Sequence, residues 1–160
     1  MRSSYILLSF GTAMSGTHAA PQVSPVQHTV TGSISSCQNA SIIPGTSWVK
    51  AICPPVISAH SLVFNYMDLN HCFVNSNGDL IAQAEGNFAQ SCENLDTSDD
   101  NSAILTADCY TTATTTKPNT FDLNDIVKMD GDVLKCFDWI ACSNSVAGPG
   151  GDCAGKPSYS

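Results

Sequence analysis

The sequence predicts an all-β domain that is built from two copies of one unit. Four short motifs occur twice in the same order, 53 to 56 residues apart. They are Ser36-Cys37-Gln38-Asn39 with Ser91-Cys92-Glu93-Asn94, Val49-x-Ala51-x-Cys53 with Leu105-x-Ala107-x-Cys109, Asp68-Leu69-Asn70 with Asp122-Leu123-Asn124, and Asn77-Gly78-Asp79 with Asp130-Gly131-Asp132. No segment has a sustained apolar period of 3.6 residues, so helices beyond single turns are not expected. A repeat of this length indicates that one unit cannot bury its apolar face alone.

The 160 residues have room for one domain with a core of ordinary size. We place this domain at residues 32–136, with repeats at about residues 33–85 and 86–136. Residues 86–94, here called the seam segment, join the two repeats and carry the second Ser-Cys-x-Asn motif. Residues 20–31 predict an extended leader without a core, because they are rich in Pro, Ser, Thr, Val and Gln and have no period.

Residues 1–19 have the pattern of a signal peptide. A short positive start, Met1-Arg2, precedes a mostly apolar stretch, and the small residues Ala19 and Ala20 follow as a cleavage site. The apolar stretch is shorter than the about 20 residues that a membrane-spanning helix needs. We therefore expect a secreted, extracellular protein that is not inserted in a membrane.

The charge of the chain argues against polyanionic partners. The formal net charge is −8, and removal of a signal peptide containing Arg2, the only arginine, would make it −9. Because nucleic-acid binding depends on Lys and Arg that neutralise phosphates, neither nucleic acid nor an anionic membrane is an expected partner. The acidic residues Asp96, Asp99 and Asp100 lack the Gly and Glu of a calcium loop, so they predict a solvated loop rather than a metal site.

Eight cysteines in a chain with a signal peptide indicate disulfides. The repeat predicts the pairs Cys37–Cys53 and Cys92–Cys109, because these cysteines occupy matching positions. We pair Cys142 with Cys153, which would close a Gly-rich segment, and Cys72 with Cys136 by elimination. No Cys or His spacing in the chain matches a zinc site, and no cofactor is expected.

Each repeat predicts the same order of strands and turns. Residues 48–53 and 104–109 alternate with period two, so Val49, Ala51 and Cys53, like Leu105, Ala107 and Cys109, should face the core while Lys50 faces solvent. Short apolar strands follow at residues 62–64 and 120–121.

Turn signals complete each repeat. Asp68 and Asp122 are suited to cap single helical turns through their carboxylates. Asn77-Gly78 and Asp130-Gly131 each predict two positive φ angles of a type I′ turn, which makes hairpins of residues 73–82 and 126–136. Residues 137–160 form a tail without a counterpart in the first repeat, and Trp139 in it is expected to pack on an edge or on the rim of the core.

The doubled motifs resemble those of the cyanovirin-N homology lectins, small two-repeat β proteins with secreted fungal members. The resemblance covers about residues 32–136 and includes Asn87-Phe88 ahead of Cys92. It implies two pseudo-symmetric halves, each with a three-stranded sheet and a β-hairpin contributed to the other half, and one disulfide within each repeat. It also implies binding of oligosaccharides, including mannose-type ones, without metal, in a shallow pocket in each half.

Carried over residue by residue, the resemblance places one carbohydrate-binding pocket at the seam segment. Its members would be Asn75, Asn77, Asn87, Gln90, Ser91, Tyr110 and Thr112. Charged residues common around this pocket in family members are replaced here, for example by Val74 and Gln90. The pocket of the opposite half would be formed by Gly32, Ser35, Ser36, Pro54, Val56 and Lys128. Pro54-Pro55-Val56 replaces polar contacts there, so we expect at most one working site.

The remaining residues favour binding over catalysis. The sequence has no GxSxG, HExxH or phosphate-loop motif, and its cysteines are assigned to disulfides, so no enzyme is expected. His60 and His71 are interpreted as surface or core-edge residues, and Asn39-Ala40-Ser41 is an N-glycosylation sequon. We predict a monomeric lectin whose partners are oligosaccharides or glycoprotein glycans. The alternative is a secreted interaction or effector protein that keeps the fold without sugar binding.

Overall fold

The computed structural model describes residues 32–55, 62–98 and 102–143, which form an all-β structure with short 3-10 turns. The strands of the first repeat are β1 (Gln38–Ile42), β2 (Trp48–Cys53), β3 (Val63–Asp68), β4 (Phe73–Ser76) and β5 (Asp79–Ala82). Those of the second are β6 (Cys92–Thr97), β7 (Ile104–Thr112), β8 (Thr115–Asp122), β9 (Lys128–Asp130) and β10 (Val133–Cys136), followed by β11 (Trp139–Ile140) and β12 (Cys142–Ser143). The 3-10 turns are Ile34–Ser36, Leu69–His71, Phe88–Gln90 and Leu123–Asp125. The predicted all-β class is confirmed.

Each repeat forms an antiparallel sheet and a hairpin. In the first repeat the sheet order is β1-β2-β3, with β12 added to β3, and β4 and β5 form the hairpin. In the second repeat the sheet order is β6-β7-β8, and the hairpin of β9 and β10 is extended by β11. The start of the predicted C-terminal tail, residues 137–143, thus supplies one short edge strand to the first sheet and another to the second hairpin.

The Asn of each Ser-Cys-x-Asn motif lies in a β-bulge. The register between β1 and β2 shifts after Gln38, and that between β6 and β7 shifts after Glu93. Asn39 and Asn94 adopt left-handed backbone conformations there, with φ angles of 52° and 54°. Asn tolerates this conformation better than most residues, which gives a backbone reason for the repeated motif.

The inward faces of the central strands agree with the period-two prediction. Leu105, Ala107 and Cys109 of β7 are buried, as are the matching residues of β2, and Lys50 is exposed. The strands that follow are longer than predicted, because β3 continues to Asp68 and β8 begins at Thr115. Both predicted caps are confirmed: the carboxylates of Asp68 and Asp122 accept hydrogen bonds from the backbone N–H of Asn70 and Asn124.

The two hairpin turns differ, and one prediction about them is wrong. Asn77 and Gly78 both have positive φ, as the type I′ prediction requires. In the second hairpin Asp130 is the last residue of β9, and the turn consists of Gly131 and Asp132. Only Gly131 has positive φ, which is the requirement of a type II′ turn. The hairpin predicted at residues 126–136 is present, but it begins two residues later, at Lys128.

Each hairpin packs on the sheet of the other repeat, and an asparagine, buried in one case and half-buried in the other, holds it there. Asn65 of β3 accepts a hydrogen bond from the backbone N–H of Leu134 (3.0 Å) and donates to the carbonyl of Asp132 (3.1 Å). Asn119 of β8 accepts from the N–H of Leu80 (3.0 Å) and donates to the carbonyl of Gly78 (2.8 Å). The exchange of hairpins between halves is therefore confirmed, with the same side-chain clamp in both.

The Asp-Leu-Asn motifs also connect the repeats. The side-chain oxygen of Asn70 accepts from the N–H of Ala89 in the second repeat (3.0 Å), and that of Asn124 accepts from the N–H of Ser35 in the first (3.1 Å). Leu69 and Leu123, which lie between the capping Asp and the Asn of each motif, are fully buried. Each motif thus caps its own turn and holds the turn that opens the other repeat.

Three predicted disulfides are confirmed. Cys37–Cys53 and Cys92–Cys109 each close one repeat, and Cys72–Cys136 links the first repeat to the second. Cys142 is disulfide-bonded, and its predicted partner Cys153 lies outside the described residues. The signal peptide, the leader, His60 and Val56 lie outside them as well.

Aromatic packing joins the C-terminal strands to the domain. Trp139 stacks on the His71 ring, with centroids 4.5 Å apart, and contacts Trp48 edge-on at 6.4 Å. His71 pairs with Glu85 at 2.6 Å. Trp139 and His71 therefore pack at the rim of the core.

In the described part of the chain, no helix has the length and apolar character to cross a membrane, and no cluster of His, Cys, Asp or Glu suits a metal ion.

We predict that the hairpin clamps stabilise the fold strongly. Asn65→Ala leaves the buried N–H of Leu134 without its acceptor, which should lower the free energy of unfolding by about 1–3 kcal/mol. Asn77→Gly, which keeps a positive φ in an exposed turn, should change it by less than about 0.5 kcal/mol. Urea unfolding midpoints measure both changes in the free energy of unfolding, provided that the slope with urea is unchanged. Equal losses of stability in the two variants would contradict a stabilising role of the Asn65 clamp.

The disulfide between repeats should contribute more than a disulfide within one. In the chain-entropy model, a separation of 64 residues for Cys72–Cys136 corresponds to about 4 kcal/mol, against about 3 kcal/mol for the separation of 16 in Cys37–Cys53. The free energies of unfolding of the double variants Cys72→Ala/Cys136→Ala and Cys37→Ala/Cys53→Ala compare the two contributions. A larger loss for the Cys37/Cys53 variant would mean that chain entropy does not set the order.

Candidate functional site

The seam segment is held in place by close backbone packing. A side chain at Gly86 would bring its Cβ to 2.3 Å from the Phe73 carbonyl oxygen, so only glycine fits. Asn87 follows in a left-handed conformation with φ of 53°, and its N–H donates to the carbonyl of Asn70 (2.8 Å). Phe88 is buried and meets Phe73 edge-on at 5.6 Å. These contacts fix the positions of Gln90 and Ser91, which come next.

Gln90 and Ser91 form one wall of an open cleft of about 380 Å³, here called the seam cleft. The opposite wall is the end of β7 and its turn. The cleft is lined by Gln90, Ser91, Tyr110, Thr111, Thr112 and Ala113. Four of the seven residues that the sequence placed in the carbohydrate pocket thus lie together, and their side chains are uncharged groups that can form hydrogen bonds.

Asn75 lies behind this cleft and supports its walls. Its amide group donates to the Ser91 carbonyl (2.9 Å), the Ser91 hydroxyl (3.1 Å) and the Tyr110 carbonyl (2.9 Å). Its side-chain oxygen accepts from the N–H of Gly78 (2.7 Å). Because both ends of the side chain are engaged, Asn75 holds the first hairpin against both walls of the cleft.

The remaining two predicted residues lie outside the lining of the seam cleft. Asn77 is exposed at the tip of the first hairpin, and Asn87 is exposed at the start of the Phe88–Gln90 turn. Both have left-handed backbone conformations. Their backbone roles account for their identity, because Asn is among the residues that tolerate positive φ.

Tyr110 is oriented by a carboxylate outside the cleft. Its hydroxyl donates to Glu93 Oε2 across a distance of 2.6 Å. This hydrogen bond raises the pKa of Tyr110 above its ordinary value of 10.0, and loss of hydration and the negative charge of Glu93 act in the same direction. The phenol proton is therefore committed to Glu93, and Tyr110 presents its ring to the seam cleft.

Two of the positions predicted for the opposite pocket, Ser35 and Lys128, are engaged in other contacts. Ser35 is tied through its backbone to Asn124, and the Lys128 ammonium donates to the Asn124 carbonyl. In place of Asn75, the second hairpin has Met129, which is buried. Pro54 is exposed.

The structure contains a larger cleft that the sequence did not predict, here called the inter-repeat cleft. It has a volume of about 690 Å³ and lies between the loop that joins β1 to β2, the Leu69–His71 turn and the start of β6. The lining consists of Gly45, Thr46, Ser47, Trp48, Asp68, Asn70, Ala89, Cys92, Glu93, Asn94 and Leu95. Asp68, Asn70 and Asn94 had drawn attention only as motif residues, and the loop carries no repeated motif that could have indicated a cleft.

Asn39 of the predicted glycosylation sequon is exposed beside a third, smaller groove. This groove of about 290 Å³ is on the outer face of the first sheet and includes Lys50, Ile52, Phe64 and Tyr66. Glycosylation of Asn39 stays a prediction.

Comparisons with known proteins agree with the fold. Three solved structures are similar over most of their own length, at identities that indicate the fold alone. The MoCVNH3 variant Mo0v in complex with (N-GlcNAc)4 has a TM-score of 0.56 at 12% identity and covers 68% of this chain and 99% of its own. A designed cyanovirin-N homolog lectin has a TM-score of 0.55 at 19% identity, with coverage of 66% and 100%. The CVNH protein of Gibberella zeae has a TM-score of 0.51 at 22% identity, with coverage of 63% and 93%.

A search of curated proteins finds no match. The model of the CVNH domain family, in contrast, matches residues 34–135, which include both repeats and both exchanged hairpins.

The contact between Glu93 and Tyr110 makes a measurable prediction. In Glu93→Gln the strong charged acceptor and its negative charge are lost, so the pKa of Tyr110 should fall toward 10.0. An NMR pH titration of the assigned Tyr110 ring measures it, with Tyr66 as the internal control. An unchanged Tyr110 pKa would show that the hydrogen bond does not persist in solution.

The doubled motifs, the exchanged hairpins and the family match lead to one conclusion: the chain belongs to the CVNH domain family.

Proposed function

We propose that this protein is a lectin that binds oligosaccharides through the seam cleft, without catalysis and without metal. CVNH proteins are a lectin family, and a structurally similar member forms a complex with (N-GlcNAc)4. The observation that carries the proposal is the lining of the seam cleft by uncharged hydrogen-bonding side chains on fixed backbone.

The chemistry of this lining suits sugar hydroxyl groups. Gln90 offers an amide donor and acceptor, and the Thr112 hydroxyl can both donate and accept. The Ser91 hydroxyl accepts from Asn75 and donates to the Phe88 carbonyl (3.4 Å), so it offers a sugar hydroxyl an acceptor only. Tyr110 adds an aromatic surface, since its own hydroxyl is engaged with Glu93. Among the described residues, none that lines the cleft is charged. A neutral oligosaccharide is therefore the matching ligand, and mannose-type oligosaccharides are our first candidates.

We place this binding outside the cell and, as the sequence predicts, in a monomer. Three described disulfides and the bonded Cys142 suit an oxidising compartment, as expected of a protein with the signal peptide that the sequence predicts. Because the opposite pocket lacks the support that Asn75 supplies, we propose one seam-cleft site per molecule. An open site of this kind should bind weakly.

The proposal predicts that Gln90→Ala weakens oligosaccharide binding about fivefold, since one hydrogen-bonding side chain is removed from the cleft. Thr112→Trp should abolish binding by filling the cleft. A glycan array at high protein concentration would identify the ligand, and calorimetry would measure the affinities.

Asn87→Gly is a matched variant, because it keeps the left-handed backbone and removes a side chain outside the cleft lining. We expect unchanged affinity; a loss would extend the site to Asn87, as the sequence predicted. Absence of any glycan signal for the unmodified protein would sink the lectin proposal and favour a secreted interaction protein that retains the fold.

A further inference from the structure

The inter-repeat cleft has the volume and lining of a ligand site in its own right. Its about 690 Å³ falls within the range of small-molecule sites in proteins. Ser47 is buried on its floor, while Glu93 and Asn94 are exposed at its edge. The cleft therefore offers both a fixed polar interior and accessible polar groups.

A hydrogen-bond network fixes the polar interior. The Ser47 hydroxyl donates to Asp68 Oδ1 (2.6 Å) and accepts from the amide of Asn70 (2.9 Å), whose side-chain oxygen is held by the N–H of Ala89. The described hydrogen bonds of the Asp68 carboxylate use Oδ1, which leaves Oδ2 as a further acceptor. These groups are set in place by the fold, so a ligand would lose little free energy in ordering them.

The charges of the lining select the class of ligand. Among the described residues that line the inter-repeat cleft, Asp68 and Glu93 are charged, and none is Lys or Arg. Carboxylates accept hydrogen bonds from sugar hydroxyls and repel anionic groups. The cleft thus suits an uncharged saccharide and disfavours uronate, sialyl or sulfate groups.

The inter-repeat cleft adjoins the seam cleft along one stretch of chain. Ala89 and Cys92 line the first, while Gln90 and Ser91 between them line the second. The hydrogen bond between Glu93 and Tyr110 forms the boundary, because Glu93 belongs to one lining and Tyr110 to the other. A chain of sugar units can therefore contact both clefts across this boundary.

We propose that the inter-repeat cleft is a second saccharide subsite, which makes the ligand a neutral oligosaccharide that spans both clefts. This inference rests on the proposed function of the seam cleft. The first repeat supports a binding role for Glu93, since Gln38 occupies the equivalent position next to the bulge and the fold accepts an uncharged residue there.

Two variants test the subsite without disturbing the fold. Glu93→Gln reproduces the residue type of the first repeat. Because Glu93 also holds Tyr110, the affinity of this variant for short ligands measures any effect on the seam cleft. Asn94→Gly keeps the left-handed bulge while it removes the edge amide together with its hydrogen bond to Asp108 Oδ2 (2.9 Å). The matched control is Asn39→Gly, which makes the same backbone change in the equivalent bulge away from the cleft. Thermal unfolding of all three shows whether they fold equally.

The measurement is NMR titration with mannose-type and N-acetylglucosamine oligosaccharides of increasing length. We expect short ligands to shift the amide signals of Gln90 and Thr112 only, and longer ones to shift also the signals of Ser47, Asn70 and the Trp48 indole. For the longer ligands, Glu93→Gln and Asn94→Gly should each weaken binding about fivefold, with Asn39→Gly unchanged. Sialylated or sulfated versions extended into this cleft should bind no better than the short ligands.

Signal shifts confined to the seam cleft, with both variants binding long ligands like the unmodified protein, would overturn the subsite and leave the proposed function standing. Loss of affinity equally in Asn39→Gly would overturn it too, because the effect would then come from the bulge. Absence of shifts anywhere would overturn the proposed function itself.

Discussion

The architecture depends on one side-chain interaction that occurs twice, the asparagine that fastens each exchanged hairpin. Asn65 and Asn119 each join a sheet to the hairpin of the other repeat: the side-chain oxygen accepts from one backbone N–H of the hairpin, and the amide donates to one of its carbonyls. A hairpin alone is marginally stable in water, so it must be held by the sheet on which it packs. Because the sheet belongs to the other repeat, neither half can be completed without its partner.

The seam cleft is a consequence of this exchange. Once Asn119 holds Gly78 and Leu80, the first hairpin lies against the second sheet, and Asn75 reaches both Ser91 and Tyr110. The two walls of the cleft come from segments that are about 20 residues apart in sequence, and Asn75 from a third segment sets their separation. The inter-repeat cleft has a similar origin, since Asn70 holds the Phe88–Gln90 turn against the first repeat.

The local features were predictable from the sequence, and the features that depend on pairing between repeats were not. Inward strand positions follow from period two, and the Asp caps need only the next two residues. The clamps were missed because Asn65 lies between Phe64 and Tyr66, whereas Asn119 lies between Pro118 and Thr120, so the neighbours share no motif. The second turn was misplaced because Asp-Gly suits type I′, while the pairing of Asp130 with Val133 leaves Gly131-Asp132 in the turn. The inter-repeat cleft depends on a loop without any repeated residue.

The two repeats also separate residues that the fold requires from residues that it leaves available. Where both repeats have the same polar residue, as at Asn65 and Asn119 or at Asn70 and Asn124, the side chain makes the same structural contact in both. Where they differ, the fold accepts either residue: Asn75 corresponds to Met129, and Glu93 corresponds to Gln38. Both differences lie beside the clefts at the seam, because Asn75 supports the walls of the seam cleft and Glu93 lines the inter-repeat cleft. Since Gln38 shows that the fold does not require a carboxylate at the position of Glu93, this second difference is a physical reason to place the binding surface at the seam.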